Sequence, residues 1–232
     1  MKRICLFIPF LLLVFLINPV AADETGWTEK KLGKVILKAG KAARHKKWSR
    51  AIKYGEQVLL GCKILGQHSN IRYINQLSHL NQYYDKANRL KEVPSRVKEA
   101  YNLSGKHLGP AHDTTIVSRQ LYYKLLLTGR EYHQASLLVL ESISILGESE
   151  EDKFQLHGYL KSLYSLYGLT GQLEQEENTL LHFIQLHKQL VGNDDNDITG
   201  VIVILAKNYC RQKKLDKFNH LINFHGLKYS CK

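Results

Sequence analysis

Apolar side chains recur along this chain three and four residues apart, the period of a helix that buries one face. Four of the apolar stretches end alike, in Ile64-Leu65-Gly66, His107-Leu108-Gly109, Ile145-Leu146-Gly147 and Leu190-Val191-Gly192. A glycine just past a helix is expected where the backbone turns left-handed, because no Cβ is there to clash. Aligning on these stops exposes a repeat. Ala51, Val93, Ala135, Glu176 and Phe218 stand 42, 42, 41 and 42 residues apart. Three before each is a bulky apolar residue: Trp48, Leu90, Tyr132, Leu173 and Leu215. Nine before come Ala42, Tyr84, Leu126, Tyr167 and Tyr209, and four after come Gly55, Val97, Val139, Leu180 and Ile222. The repetition predicts ten helices in five antiparallel pairs, an all-α chain. One helix pair cannot bury its apolar face alone, so such pairs stack on a shared core. Prolines fall where helices tolerate them, with Pro94 at a predicted helix start and Pro110 in a linker.

Tyr132-His133-Gln134-Ala135 and Trp48-Ser49-Arg50-Ala51 resemble the turn of the tetratricopeptide motif. Leu108-Gly109-Pro110-Ala111-His112-Asp113 is similar to the linker of the 42-residue repeats of kinesin light chains. The resemblance spans about residues 30–226. It implies a right-handed α-solenoid whose first helices line a concave groove for a protein partner. It also implies looser or altered packing at Glu176 and Phe218, where the family prefers alanine.

The first residues have a different pattern. Lys2 and Arg3 precede an apolar run from Ile4 to Ile17, broken by Asn18-Pro19 and followed by Val20-Ala21-Ala22. Charged start, apolar run and small residues are the layout of a secretory signal. The expected domain layout is a signal peptide at 1–22, cleaved after Ala22, and a helical repeat domain at 23–232, secreted or periplasmic. The alternative is an uncleaved anchor, although a spanning helix needs about 20 apolar residues. Of four cysteines, Cys62, Cys210 and Cys231 follow the leader. An oxidising compartment permits a disulfide, and Cys210 with Cys231 is the pairing expected; three buried free thiols are the alternative.

Candidate chemistry is thin. None of the eleven histidines stands in an HExxH arrangement, and His182/His187 and His220/His225 are each five apart, on different faces of a helix. There is no GxSxG, no phosphate-cradling loop and no CxxC. Asp194-Asp195-Asn196-Asp197 lacks the spacing of a calcium loop and reads as capping a helix that starts near Ile198. Asn102-Leu103-Ser104 is a formal glycosylation sequon inside a predicted helix. No catalytic residues, metal ligands or cofactors are expected.

Charge says more. The chain has 33 basic and 21 acidic residues, a net +12, and the leader holds two of the positive charges, Lys2 and Arg3. Between Lys30 and Lys53 there are ten basic residues and no acidic one. Lys30, Lys34, Lys38, Lys41 and His45 share one helical stripe, opposite Leu32, Val35, Ile36, Ala39, Ala42 and Ala43. This basic face is either the solvated cap of a solenoid or an attractor for anionic membrane, cell wall or acidic protein. Nucleic acid is not expected, since no aromatic ladder accompanies the charges.

Carrying the tetratricopeptide groove onto this chain places Arg44, Asn75, Ser78, Gln82, Lys86, Gln120, Lys124, Lys161, Ser165, Lys207 and Arg211 on the concave face. Amides and cations in that order would suit an extended peptide with carboxylates. The expected function is an exported, non-catalytic scaffold or adaptor holding a segment of a protein partner. The alternative is a peripheral membrane- or cell-wall-associated protein acting through its basic first helix.

Overall fold

A computed structural model of the protein describes residues 26–67, 70–192 and 198–231. The expected leader and the acidic run at 194–197 lie outside the described residues. Among these residues there are ten α-helices and no strand. They are α1 (Glu29–Arg44), α2 (Trp48–Ile64), α3 (Ile71–Lys86), α4 (Pro94–Leu108), α5 (Asp113–Thr128), α6 (Tyr132–Ser144), α7 (Glu150–Thr170), α8 (Leu173–Val191), α9 (Thr199–Arg211) and α10 (Leu215–Phe224), with a 3-10 turn at Leu90–Glu92. Each helix packs on its chain neighbours, and α3 also packs on α5.

The repeat is visible in the backbone itself. Lys46, Asn88, Arg130, Gly171 and Lys213 have φ between 54° and 72°, and they recur at the same 42, 42, 41 and 42 spacing. Each is followed by an amide that donates five residues back: Lys47 to Ala42, Arg89 to Tyr84, Glu131 to Leu126, Gln172 to Tyr167 and Lys214 to Tyr209, at 2.8–3.0 Å. That bond closes the first helix of the pair by satisfying an orphan carbonyl. Four of the five turns therefore hold a side chain in a conformation that costs roughly 1–2 kcal/mol, offset by the closing bond. The second helices then start with no side-chain cap, whereas α1, α3 and α7 start on Thr28, Asn70 and Ser149.

Between pairs, Gly66, Gly109 and Gly192 adopt the expected positive φ. Gly147 does not: α6 already ends at Ser144, and Gly147 instead lies beside the Asp152 carboxylate. Val93 precedes Pro94, which bars it from helical geometry, so a 3-10 turn bridges α3 and α4.

The core is a seam of three linked blocks. Leu32, Val58, Tyr73, Leu77 and Leu80 form the first. Val93 packs against both this block and the next, which gathers Val97, Leu126, Ala135, Val139 and Leu166. Helix α7 then turns Leu163 and Tyr167 to the middle block and Leu160 and Tyr164 to the last, with Leu180, Phe183, Leu205 and Phe218.

Glu176 and Phe218 pack differently from alanine, but not loosely. Both are buried. Glu176 accepts from Asn208 Nδ2 at 2.9 Å and faces Arg211 at 3.4 Å. Its carboxylate fits because residue 168 is glycine: a Cβ there would stand 2.7 Å from Glu176 Oε1. At the far end Leu215 is exposed, having no further repeat to pack against among the described residues.

Candidate functional site

The first helix of each pair carries the residues expected to line the groove, and their surroundings differ along the solenoid. Arg44, Lys86, Gln120, Lys124, Lys161, Ser165, Lys207 and Arg211 are exposed, and Asn75 and Gln82 are half-buried. Ser78 is not a groove residue: it is buried and bonded to Ser118 at 3.2 Å. Its neighbours on α3 are likewise engaged, Asn75 with Thr114 at 2.8 Å and Asp85 with Lys124. Helices α3 and α5 lie close enough for their polar side chains to satisfy one another, which closes the surface there. Arg211 is similarly drawn to Glu176.

The surface opens between α5 and α7. A recess there has Leu138 and Val139 of α6 as its floor, with Gln120 and Tyr123 on one wall and Tyr159 and Ser162 on the other. Of these, only Gln120 was expected. Tyr123 lies three residues beyond it, on the same helical face, so a wider wheel would have included it; Tyr159 and Ser162 enter through the approach of α7.

Arg119 lies beside this recess, 2 % exposed. Its Nη2 donates to Pro110 O at 2.7 Å and to Glu141 Oε1 at 2.8 Å. Glu141 also accepts from the Tyr101 hydroxyl. Burial and then this bond push Tyr101 up to about 12, so it stays a donor. The cluster ties α4, the linker, α5 and α6 into one rigid block. Arg119 Nε, however, is buried and has no partner, an unmade bond that would ordinarily cost about 1–3 kcal/mol.

The basic stripe is exposed as expected. Lys30, Lys34, Lys38, Lys41 and His45 all face solvent, while Leu32, Val35, Ala39 and Ala42 are buried and Ile36 and Ala43 partly so. The fold adds cations that the wheel did not: Lys46 and Lys47 of the first turn and Arg50 at the start of α2 meet Lys86 at the end of α3 and Arg89 just beyond it. Lys38 also stands over the Tyr54 ring at 6.0 Å.

Other chemistry-bearing residues sit apart. Cys210 and Cys231 form a disulfide, with Cα atoms 5.5 Å apart, and Cys62 is free and buried. His187 pairs with His157 at 3.1 Å rather than with His182, and both rings stack on Phe183. Among the described residues no group of three or more His, Cys, Asp or Glu could hold a metal ion. No helix among them is long and apolar enough to cross a membrane.

No protein-family model matches the chain, and no curated protein matches it. Solved structures do. Two crystal structures of nearly identical TPR-like repeats, assigned to a kinesin light chain of Podosopora anserina, superpose with TM-scores of 0.55 and 0.56. Both are 14% identical over 83% of this chain and 92% of theirs. The fold is TPR-like. BtubC from P. vanneervenii, 15% identical over 69% of this chain and 65% of its own, gives a TM-score of 0.54. The TPR-like fold thus rests on shape and repeat, since identity this low carries the architecture alone. Within a TPR-like solenoid, the side lined by α1, α3, α5, α7 and α9 is the inner wall, the one on which the recess beside Arg119 opens.

Proposed function

We propose that this protein is an exported, non-catalytic scaffold that holds a segment of a protein partner along its inner wall. The observation that carries the reading is the recess between α5 and α7. It combines an apolar floor with two tyrosine walls, beside the buried Arg119. The Arg119–Glu141–Tyr101 block behind it limits the ordering cost of binding. Lys161, on α7 two residues from Tyr159, and Lys207, on α9, are exposed and without an ion pair among the described residues. They favour a segment carrying carboxylates. Export follows from the leader-like pattern at 1–22.

A photo-crosslinking residue at Tyr123 tests the site in the native host, with the same residue at Lys98 on the outer helix α4 as control. A partner captured from position 123 and not from 98 is expected. Changing Lys161 and Lys207 together to glutamate should abolish capture of acidic peptides, and undiminished capture overturns the acidic-partner reading.

A further inference from the structure

The apolar side of α1 is spent inside the protein. Leu32 and Val35 belong to the first core block with Val58 and Leu77, so α1 cannot lay that side into anything else. Whatever this end of the solenoid binds, it binds through the outward face.

That face gathers cations that have no carboxylate partner. Several cations elsewhere are matched: Arg72 by Glu29, Arg96 by Glu56, Arg119 by Glu141, and Lys214 and Lys217 by Glu177. Lys30, Lys34, Lys38 and Lys41 on α1 form no ion pair among the described residues, nor do Lys46, Lys47, Arg50 and Lys86. Two adjoining recesses share Lys47 and Arg50, one reaching back to Lys38 and Lys41, the other across to Lys86. Among the described residues no carboxylate lines either one, and the only neutralised cation there is Arg89, held by Glu92.

Within this field one large apolar side chain is left mostly in solvent. Leu37 is 71% exposed, three residues after Lys34 and four before Lys41, and so on their face. A soluble polyanion would gain nothing from it. A lipid surface would, because the leucine can enter the acyl boundary while the surrounding cations meet headgroup phosphates.

We propose that the outward face of α1, continued by the turn into α2 and by Lys86, docks on an anionic lipid bilayer, with Leu37 entering it. This surface lies on a different side chain set from the α5–α7 recess, and the two bind independently. Each cation brought to an anionic leaflet strengthens binding about fivefold at ordinary salt, so several acting together give stable but salt-sensitive attachment.

The test is co-sedimentation of the full chain with vesicles of phosphatidylcholine alone or with one-third phosphatidylglycerol. The apolar run at 4–17, with Lys2 and Arg3 before it, is retained by all variants, so its contribution cancels when they are compared. Lys34→Glu/Lys38→Glu/Lys41→Glu should lose the anionic preference by more than tenfold, and high salt should do the same to the parent. Leu37→Ala should weaken anionic-vesicle binding about tenfold, the order expected for one leucine withdrawn from water. Lys91→Glu/Lys98→Glu/Lys106→Glu, with the same change in net charge on or next to the outer helix α4, should bind as the parent does. These positions are exposed, and unchanged thermal melts of each variant confirm folding. Equal loss in the α4 variant overturns the proposal. So does full binding by Leu37→Ala with displacement by heparin, which would mark a soluble polyanion as the ligand. Capture of the inner-wall partner should persist in the α1 variant, so failure here is distinguishable from failure of the scaffold reading.

Discussion

Replacing Glu177 with glutamine tests how the last pair of helices is held. Glu177 lies on α8, 4% exposed, and accepts from Lys214 Nζ at 2.6 Å, Lys217 Nζ at 2.8 Å and Gln212 Nε2 at 2.8 Å. Burial acts to raise its carboxyl, but the three donors outweigh it and hold the group at about 2, against an ordinary 4.5. A displacement of that size corresponds to roughly 3 kcal/mol of preference for the ionised form. The lysines keep 35% and 55% of their side chains in solvent, and exposed partners contribute less, so the expected loss in Glu177→Gln is about 1–2 kcal/mol at neutral pH. For a chain of this size that lowers the melting temperature by roughly 3–8 °C. Because the folded group is depressed, its contribution is complete above 4.5 and disappears as pH falls toward 2. Circular-dichroism melts of parent and variant from pH 7 to pH 2 should therefore show curves that converge across that window. Hydrogen exchange should show α10 opening early, since among the described residues it packs chiefly on α9. A difference in stability that is absent at pH 7, or that persists unchanged at pH 2, refutes the reasoning.

The turns make a paired prediction. Arg130→Gly should stabilise the protein by about 0.5–1 kcal/mol by relieving a left-handed side chain, and Gly171→Ala should destabilise it by about as much in chemical denaturation. Gly168→Ala places a Cβ 2.7 Å from Glu176 Oε1 and should cost about 1–3 kcal/mol, while in the Glu176→Ala background the same change should cost far less, a double-mutant cycle that isolates the contact. Burial, reinforced by His187 and Lys161, holds His157 below 6.5, so the unfolded chain takes up its proton first and stability should decline as pH falls through 6.5. His157→Phe should flatten that part of the stability profile. Reducing Cys210–Cys231, 21 residues apart, should lower stability by about 3 kcal/mol in melts with and without a thiol reductant.

The five-pair organisation was legible because helical period is local. Ala42, Tyr84, Leu126, Tyr167 and Tyr209 share one place in the repeat, and all five are buried. Their spacing also located the turns, though not their form: nothing in Lys46 or Arg130 announces a left-handed residue, which is imposed by the helix closure around it. The inner wall was legible only as a set of polar positions. Ser78 looked like a ligand contact and is an internal hydrogen bond; Lys124 and Arg211 looked free and face Asp85 and Glu176.

Helix periodicity, the repeat and the basic first helix are written in residue order, because each depends on neighbours three or four positions away. Which polar groups are left for a partner is decided by how near the first helices come to one another. That distance is set by side-chain volumes summed across several packed elements: α3 and α5 meet and consume their polar groups, while α5 and α7 leave a recess beside an unsatisfied Arg119. The meeting of Lys86 with Lys46 and Lys47 arises in the same way, from residues about forty apart in sequence that only stacking brings to one surface.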